Sequence, residues 1–133
     1  MNVFSGHISN IQVNKSLSMV AVQIREGIEL KTMVVETPTT ASYLRTGNTV
    51  RVLFKETEVM VAKKDYGPIS IQNIISGVIK KIERGVLLSK LTITTDIGAI
   101  VSILTTEAID EMMLLEEQEV VAMVKVNEIM LSG

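Results

Sequence analysis

The sequence predicts an all-β protein: two tandem copies of one small barrel, each of five short strands with one short helix. Three observations carry this expectation. The chain repeats itself, its apolar residues are mainly aliphatic and β-branched, and each repeat breaks into short runs bounded by turn residues.

The repeat sets the domain organisation. Ser5-Gly6-His7-Ile8-Ser9-Asn10-Ile11 aligns with Ser76-Gly77-Val78-Ile79-Lys80-Lys81-Ile82, 71 residues further on, and Ser18 to Val22 aligns with Ser89 to Ile93 at the same spacing. The best match is Val50 to Met60 over Val120 to Met130, with Lys55 falling on Lys125 at a spacing of 70. Blocks that keep their order and nearly one spacing over a half-chain mark duplication of a structural unit. The modules are therefore placed at residues 1–64 and 69–133, joined by the charged, Gly- and Pro-containing stretch Lys63-Lys64-Asp65-Tyr66-Gly67-Pro68. Units of this size lie near the lower limit for an independent core, so mutual packing or oligomerisation is expected.

Composition supports strands. Apolar residues make up 47% of the chain and charged ones only 21%, which excludes a disordered tail-like protein. Two Phe, two Tyr and no Trp leave Val, Ile and Thr to build the core, and these favour the pleated sheet. In module one the runs at 8–11, 19–24, 29–35, 50–54 and 59–62 read as strands, separated by Asn14-Lys15, Glu26-Gly27 and Thr46-Gly47-Asn48. In module two Thr105-Thr106-Glu107-Ala108-Ile109-Asp110-Glu111-Met112-Met113 reads as a short helix with a hydroxyl cap and early acids; Thr37-Pro38 opens the equivalent segment of module one. Five strands and one small helix give an OB-like barrel.

Several functions are excluded or disfavoured. His7 is the only histidine, no cysteine exists, and no Ser or carboxylate sits in a nucleophile, metal or acid–base spacing, so an enzyme is not expected. Stacked aromatics in a basic groove are missing and the net charge is -2, which argues against nucleic acid and anionic membrane. No apolar run approaches the ~20 residues of a membrane helix, and no secretory signal is visible, so a cytoplasmic location is expected.

Anion binding has local support. A tetrahedral dianion held without a metal needs converging amides and hydroxyls plus a cation. Module two supplies the extended polar stretch Ser70-Ile71-Gln72-Asn73, the hydroxyl pair Thr105-Thr106 and the strand-end Lys125. Each also has a plain structural reading, Thr105 as a helix cap and Lys125 as a solvated strand end, and spacing does not choose between them.

Three segments resemble the Mop or TOBE-type domains of molbindins. Family modules open with Ser-Ala-Arg-Asn, two apolar residues, a spacer and Gly; this chain has Ser70-Ile71-Gln72-Asn73-Ile74-Ile75-Ser76-Gly77. The family's Thr-Asn-Glu-Ala helix start is matched by Thr105-Thr106-Glu107-Ala108, and its closing Val-Ile-Lys-Ala-x-x-Val-Met by Met123-Val124-Lys125-Val126-Asn127-Glu128-Ile129-Met130. The resemblance spans the chain and implies a protein that binds molybdate or tungstate for storage, buffering or homeostasis, without an organic cofactor. A non-binding interaction or regulatory module of the same fold, or the sensing part of a regulator, is the alternative. By the resemblance, Ser70, Ile71, Gln72, Thr105 and Lys125 contact the oxyanion. Gln72 replaces the motif arginine. Module one matches less well: Glu36-Thr37-Pro38-Thr39 puts an acid where a hydroxyl is expected, although Lys55 is kept. Its Lys55 and Thr37 would complete a site only with a neighbouring chain. The resemblance also implies sites between subunits of a homotrimer, with a dimer as the alternative.

Overall fold

The computed structural model describes residues 1–133, which form ten strands and one α-helix. In chain order these are β1 (Asn2–Asn14), β2 (Leu17–Arg25), β3 (Ile28–Val34), β4 (Thr49–Phe54), β5 (Met60–Lys63), β6 (Asn73–Glu83), β7 (Leu88–Thr95), β8 (Gly98–Thr105), α1 (Thr106–Met112), β9 (Glu119–Val124) and β10 (Met130–Ser132). Single 3-10 turns, Glu56–Glu58 and Val126–Glu128, join β4 to β5 and β9 to β10. No helix is long and apolar enough to cross a membrane.

The strands form two five-stranded antiparallel sheets, ordered β10-β4-β1-β2-β3 and β5-β9-β6-β7-β8. The all-β, OB-like expectation holds, and the repeat is visible in detail. Both long first strands carry a bulge at the same place, between Ile8 and Asn10 and between Ile79 and Lys81. Just before each bulge sits a glycine against the neighbouring strand. A Cβ on Gly6 would lie 2.4 Å from the Gln23 carbonyl oxygen, and one on Gly77 would lie 2.7 Å from that of Thr94. Only glycine permits this approach.

Two features depart from the sequence reading. The first is that each half gives its last strand to the other sheet: β10 pairs with β4, Met130 opposite Leu53, and β5 pairs with β9, Met60 opposite Met123. The repeat makes the two strands interchangeable, so the same edge is satisfied by the other module's copy. The second is that module one has no helix. The segment between β3 and β4 is a series of turns, in which the Thr40 hydroxyl accepts the Thr37 N–H at 2.9 Å. Pro38 suits a helix start, but Thr39, Thr40 and Ser42 are weak helix formers whose hydroxyls compete for the backbone. In module two Glu107, Ala108, Ile109 and Met112 propagate the turn that Thr105 caps.

Strand exchange merges the two cores. One cluster of 21 buried apolar residues takes Ile8, Val22, Leu30, Leu44 and Phe54 from the first half and Ile79, Leu91, Ile93, Ile100 and Ile109 from the second. Buried polar groups then bolt the halves together in matched pairs. Asn2 exchanges two hydrogen bonds with the Val101 backbone, each at 2.9 Å, and Asn73 does the same with Lys31, at 2.7 and 2.8 Å. Ser102 donates to the Val59 carbonyl at 2.8 Å, and Thr32 donates to that of Ile129. Each pair recurs at the repeat spacing, so the modules are related by an approximate two-fold axis. No buried side-chain polar atom lacks a partner.

Candidate functional site

Four of the residues singled out from the sequence meet at one place. Ser70, Ile71, Gln72, Lys125 and Val126 line a small cavity of about 80 Å³. Two elements build it. The extended segment before β6 supplies Ser70, Ile71 and Gln72, whose backbone N–H groups donate to no protein acceptor. Asn73, the next residue, is buried and clamped to Lys31, which fixes where that segment lies. The other wall is the end of β9. Lys125 leaves the strand in extended conformation and caps the following 3-10 turn through its carbonyl, which accepts the Glu128 N–H at 3.0 Å. The Lys125 ammonium is exposed and forms no ion pair.

This wall set holds one cation, a hydroxyl, three free backbone amides and a carboxamide, with no carboxylate. Such donors can hold an anion that accepts several hydrogen bonds, and the wall offers no carboxylate to a hard cation. No cluster of three metal-ligating side chains exists elsewhere in the chain.

Thr105 lies apart. It ends β8 and caps α1, its hydroxyl oxygen accepting the Ala108 N–H at 3.1 Å and keeping its own proton free to donate. It lines a separate, wider hollow with Val86, Leu87, Leu88 and Glu107. Three of these are apolar and face solvent, Val86 being 94% exposed and Leu87 79%. Within one chain, Thr105 and Lys125 do not face a common cavity.

Module one keeps the lysine but differs around it. Lys55 lines a hollow of about 210 Å³ with Glu58, Asn127, Glu128 and Met130. Glu56 occupies the position of Val126 and pairs with the Met1 ammonium, which holds its carboxyl below the usual carboxylate range. Thr37 is nearly buried, its carbonyl accepting the N–H groups of Thr40 and Ala41. The strand register puts Val35, not Thr37, where β8 ends in Thr105, because Ser18 opposite Val34 corresponds to Ser89 opposite Leu104. Nearby, burial and a 2.6 Å hydrogen bond to Glu36 push the Tyr43 hydroxyl up to about 12.

Sequence reasoning missed Val126 as a lining residue and Asn73 as the anchor of the Ser70–Gln72 segment. Asn73 was findable: a polar residue leading an apolar strand, with Asn2 as its repeat mate.

These features describe two repeated β modules sharing one core, with a cavity of hydrogen-bond donors at the end of β9. Residues 69–131 match the TOBE domain family. No curated protein matches the chain in a sequence comparison. Among solved structures it is similar to the cytoplasmic molybdate-binding protein ModG in a form with molybdate bound, with a TM-score of 0.91 and 27% identity. The match covers 98% of this chain and 94% of that one.

Proposed function

We propose that this chain binds molybdate, or the nearly isosteric tungstate, as an intracellular store or buffer of the oxyanion. The observation that carries the reading is the cavity where Lys125 meets Ser70, Ile71 and Gln72 with no carboxylate beside it. Likeness to ModG over almost the whole length of both chains supports the choice of ligand.

Thr105 enters through a second copy of the chain. Its hollow is rimmed by exposed Val86, Leu87 and Leu88, a surface suited to burial against another subunit. Packing there brings the free hydroxyl proton of Thr105 to the Lys125 cavity of a neighbour, and a homotrimer closes such a heterologous contact. A dry intersubunit pocket strengthens each donor's hold on a dianion.

The test is thermal unfolding with molybdate. At a free concentration a hundredfold above Kd, binding adds about 2.7 kcal/mol, or a rise in Tm on the order of 10 °C. Sulfate at equal concentration serves as the selectivity control. An unmoved transition favours the second reading, a non-binding interaction or regulatory module, which Gln72 motivates by standing where the family motif has arginine. Mass in solution separates trimer from dimer.

A further inference from the structure

We infer that each chain offers only one class of oxyanion site, on Lys125, and that Glu58 and Glu128 close the hollow at its repeat mate Lys55 to anions. This rests on the oxyanion reading above and concerns where in the chain that ligand goes.

The two lysines are repeat mates. Each ends a strand, each caps a 3-10 turn, and their backbone angles agree, with φ -72° and ψ 147° at Lys55 against φ -68° and ψ 148° at Lys125. Their surroundings do not agree. Lys125 shares its cavity with neutral residues only, so the local formal charge is +1. Lys55 shares its hollow with two carboxylates, Glu58 and Glu128, so the local formal charge is -1.

A carboxylate repels a dianion as strongly as an ammonium at the same distance attracts it. The sign of the sum therefore decides, and it is unfavourable at Lys55. Glu56 stands where module two has Val126, and its ion pair with the Met1 ammonium fills that position without adding an unpaired charge. The hydroxyl partner is also gone, since Val35 takes the register position of Thr105 and Thr37 turns inward. Lys55 is left as the counter-charge of the two acids in its hollow. One module keeps the anion chemistry while the other keeps only the architecture.

Isothermal titration of the full chain with sodium molybdate, at low ionic strength, tests this. The expected result is no more than one molybdate per chain. Lys125→Ala should weaken binding roughly ten- to hundredfold, as loss of a charge-assisted hydrogen bond does. Lys55→Ala should leave stoichiometry unchanged and affinity within about twofold. The double variant Glu58→Gln, Glu128→Gln reverses the local charge and should add a second, weaker binding event. Two like sites in the parent protein, or a halved stoichiometry in Lys55→Ala, would overturn the inference while leaving molybdate binding intact. A parent protein that takes up no molybdate would overturn the oxyanion reading itself, and this inference with it.

Discussion

The two halves of the chain agree wherever they build the shared core and diverge where Lys55 and Lys125 end their strands. Bulges, glycines, buried asparagines and exchanged strands recur at the repeat spacing, because each is needed twice to close one interlocked body. Of the site residues only Lys125 recurs, as Lys55, and its neighbours do not. Val126 faces Glu56 across the repeat, and Thr105 faces Val35. A duplicated fold thus constrains both copies through their common core, while ligand chemistry needs only one of them.

The strongest way to break this comparison is to separate the halves. We propose residues 1–64 and 69–133 as the repeat units, yet neither owns a complete sheet, since β5 and β10 are exchanged. A fragment of residues 69–133 leaves the β9 edge open and its own β10 without β4. It should form no folded monomer and should instead pair its β10 with the β9 of a second copy, because β10 and β5 are equivalent. Sedimentation and circular dichroism check this; a stably folded monomer would show that the exchange is dispensable.

Removing the matched clamps sharpens the comparison. Asn2→Ala and Asn73→Ala each delete two hydrogen bonds and leave an N–H and a C=O of the opposite module without partners. Each should cost about 3 kcal/mol in chemical denaturation, and the two costs should agree. Only Asn73→Ala should also weaken molybdate binding, because Asn73 holds the Ser70–Gln72 segment. Equal effects on binding would mean that the clamp acts through the fold alone.

A smaller contrast separates Thr105 from Val35. Thr105→Ala removes the cap of α1 and should cost about 1 kcal/mol, with a loss of anion affinity. Val35→Ala removes a side chain that is 77% exposed and caps nothing, so its stability should change by less than about 0.5 kcal/mol. Thermal melts of both variants, with and without molybdate, give the four numbers needed.

How much of this was legible in the sequence follows from the same asymmetry. The repeat and the strand content could be read from the residues, because alternating β-branched runs are local signals, whereas the grouping of Ser70, Ile71, Gln72 and Lys125 was implied only by the family resemblance. The strand exchange could not. β5 and β10 carry equivalent side chains, so the pattern is degenerate as to which of β4 and β9 each one joins. The missing helix of module one was hidden by a genuine start signal, Thr37-Pro38, whose following residues fail to propagate it. Thr37 was chosen from that signal, whereas register, which only pairing reveals, puts Val35 at the position. Thr105 and Lys125 were each legible, but their separation in space was not, since it depends on how β8 and β9 pair within the sheet and not on spacing along the chain.

The smallest expected effect lies in module one alone. The Tyr43 hydroxyl donates to Glu36 at 2.6 Å and titrates at about 12, burial being the larger cause and the Glu36 hydrogen bond the next. A folded-state value above the unfolded value of 10.0 means that the fold favours the neutral phenol. The resulting stability is therefore fully present below pH 10, declines as pH rises, and is gone once pH passes about 12. Tyr43→Phe lacks this titration, so the difference in Tm between parent and variant should be constant up to about pH 9 and should shift against the parent by pH 11. The helix that replaces these turns in module two carries no tyrosine, so alkaline loosening should begin between β3 and β4. Hydrogen exchange at pH 9 and 11 can place it: earlier opening of α1 would show that the turn segment is not the weaker of the two connections.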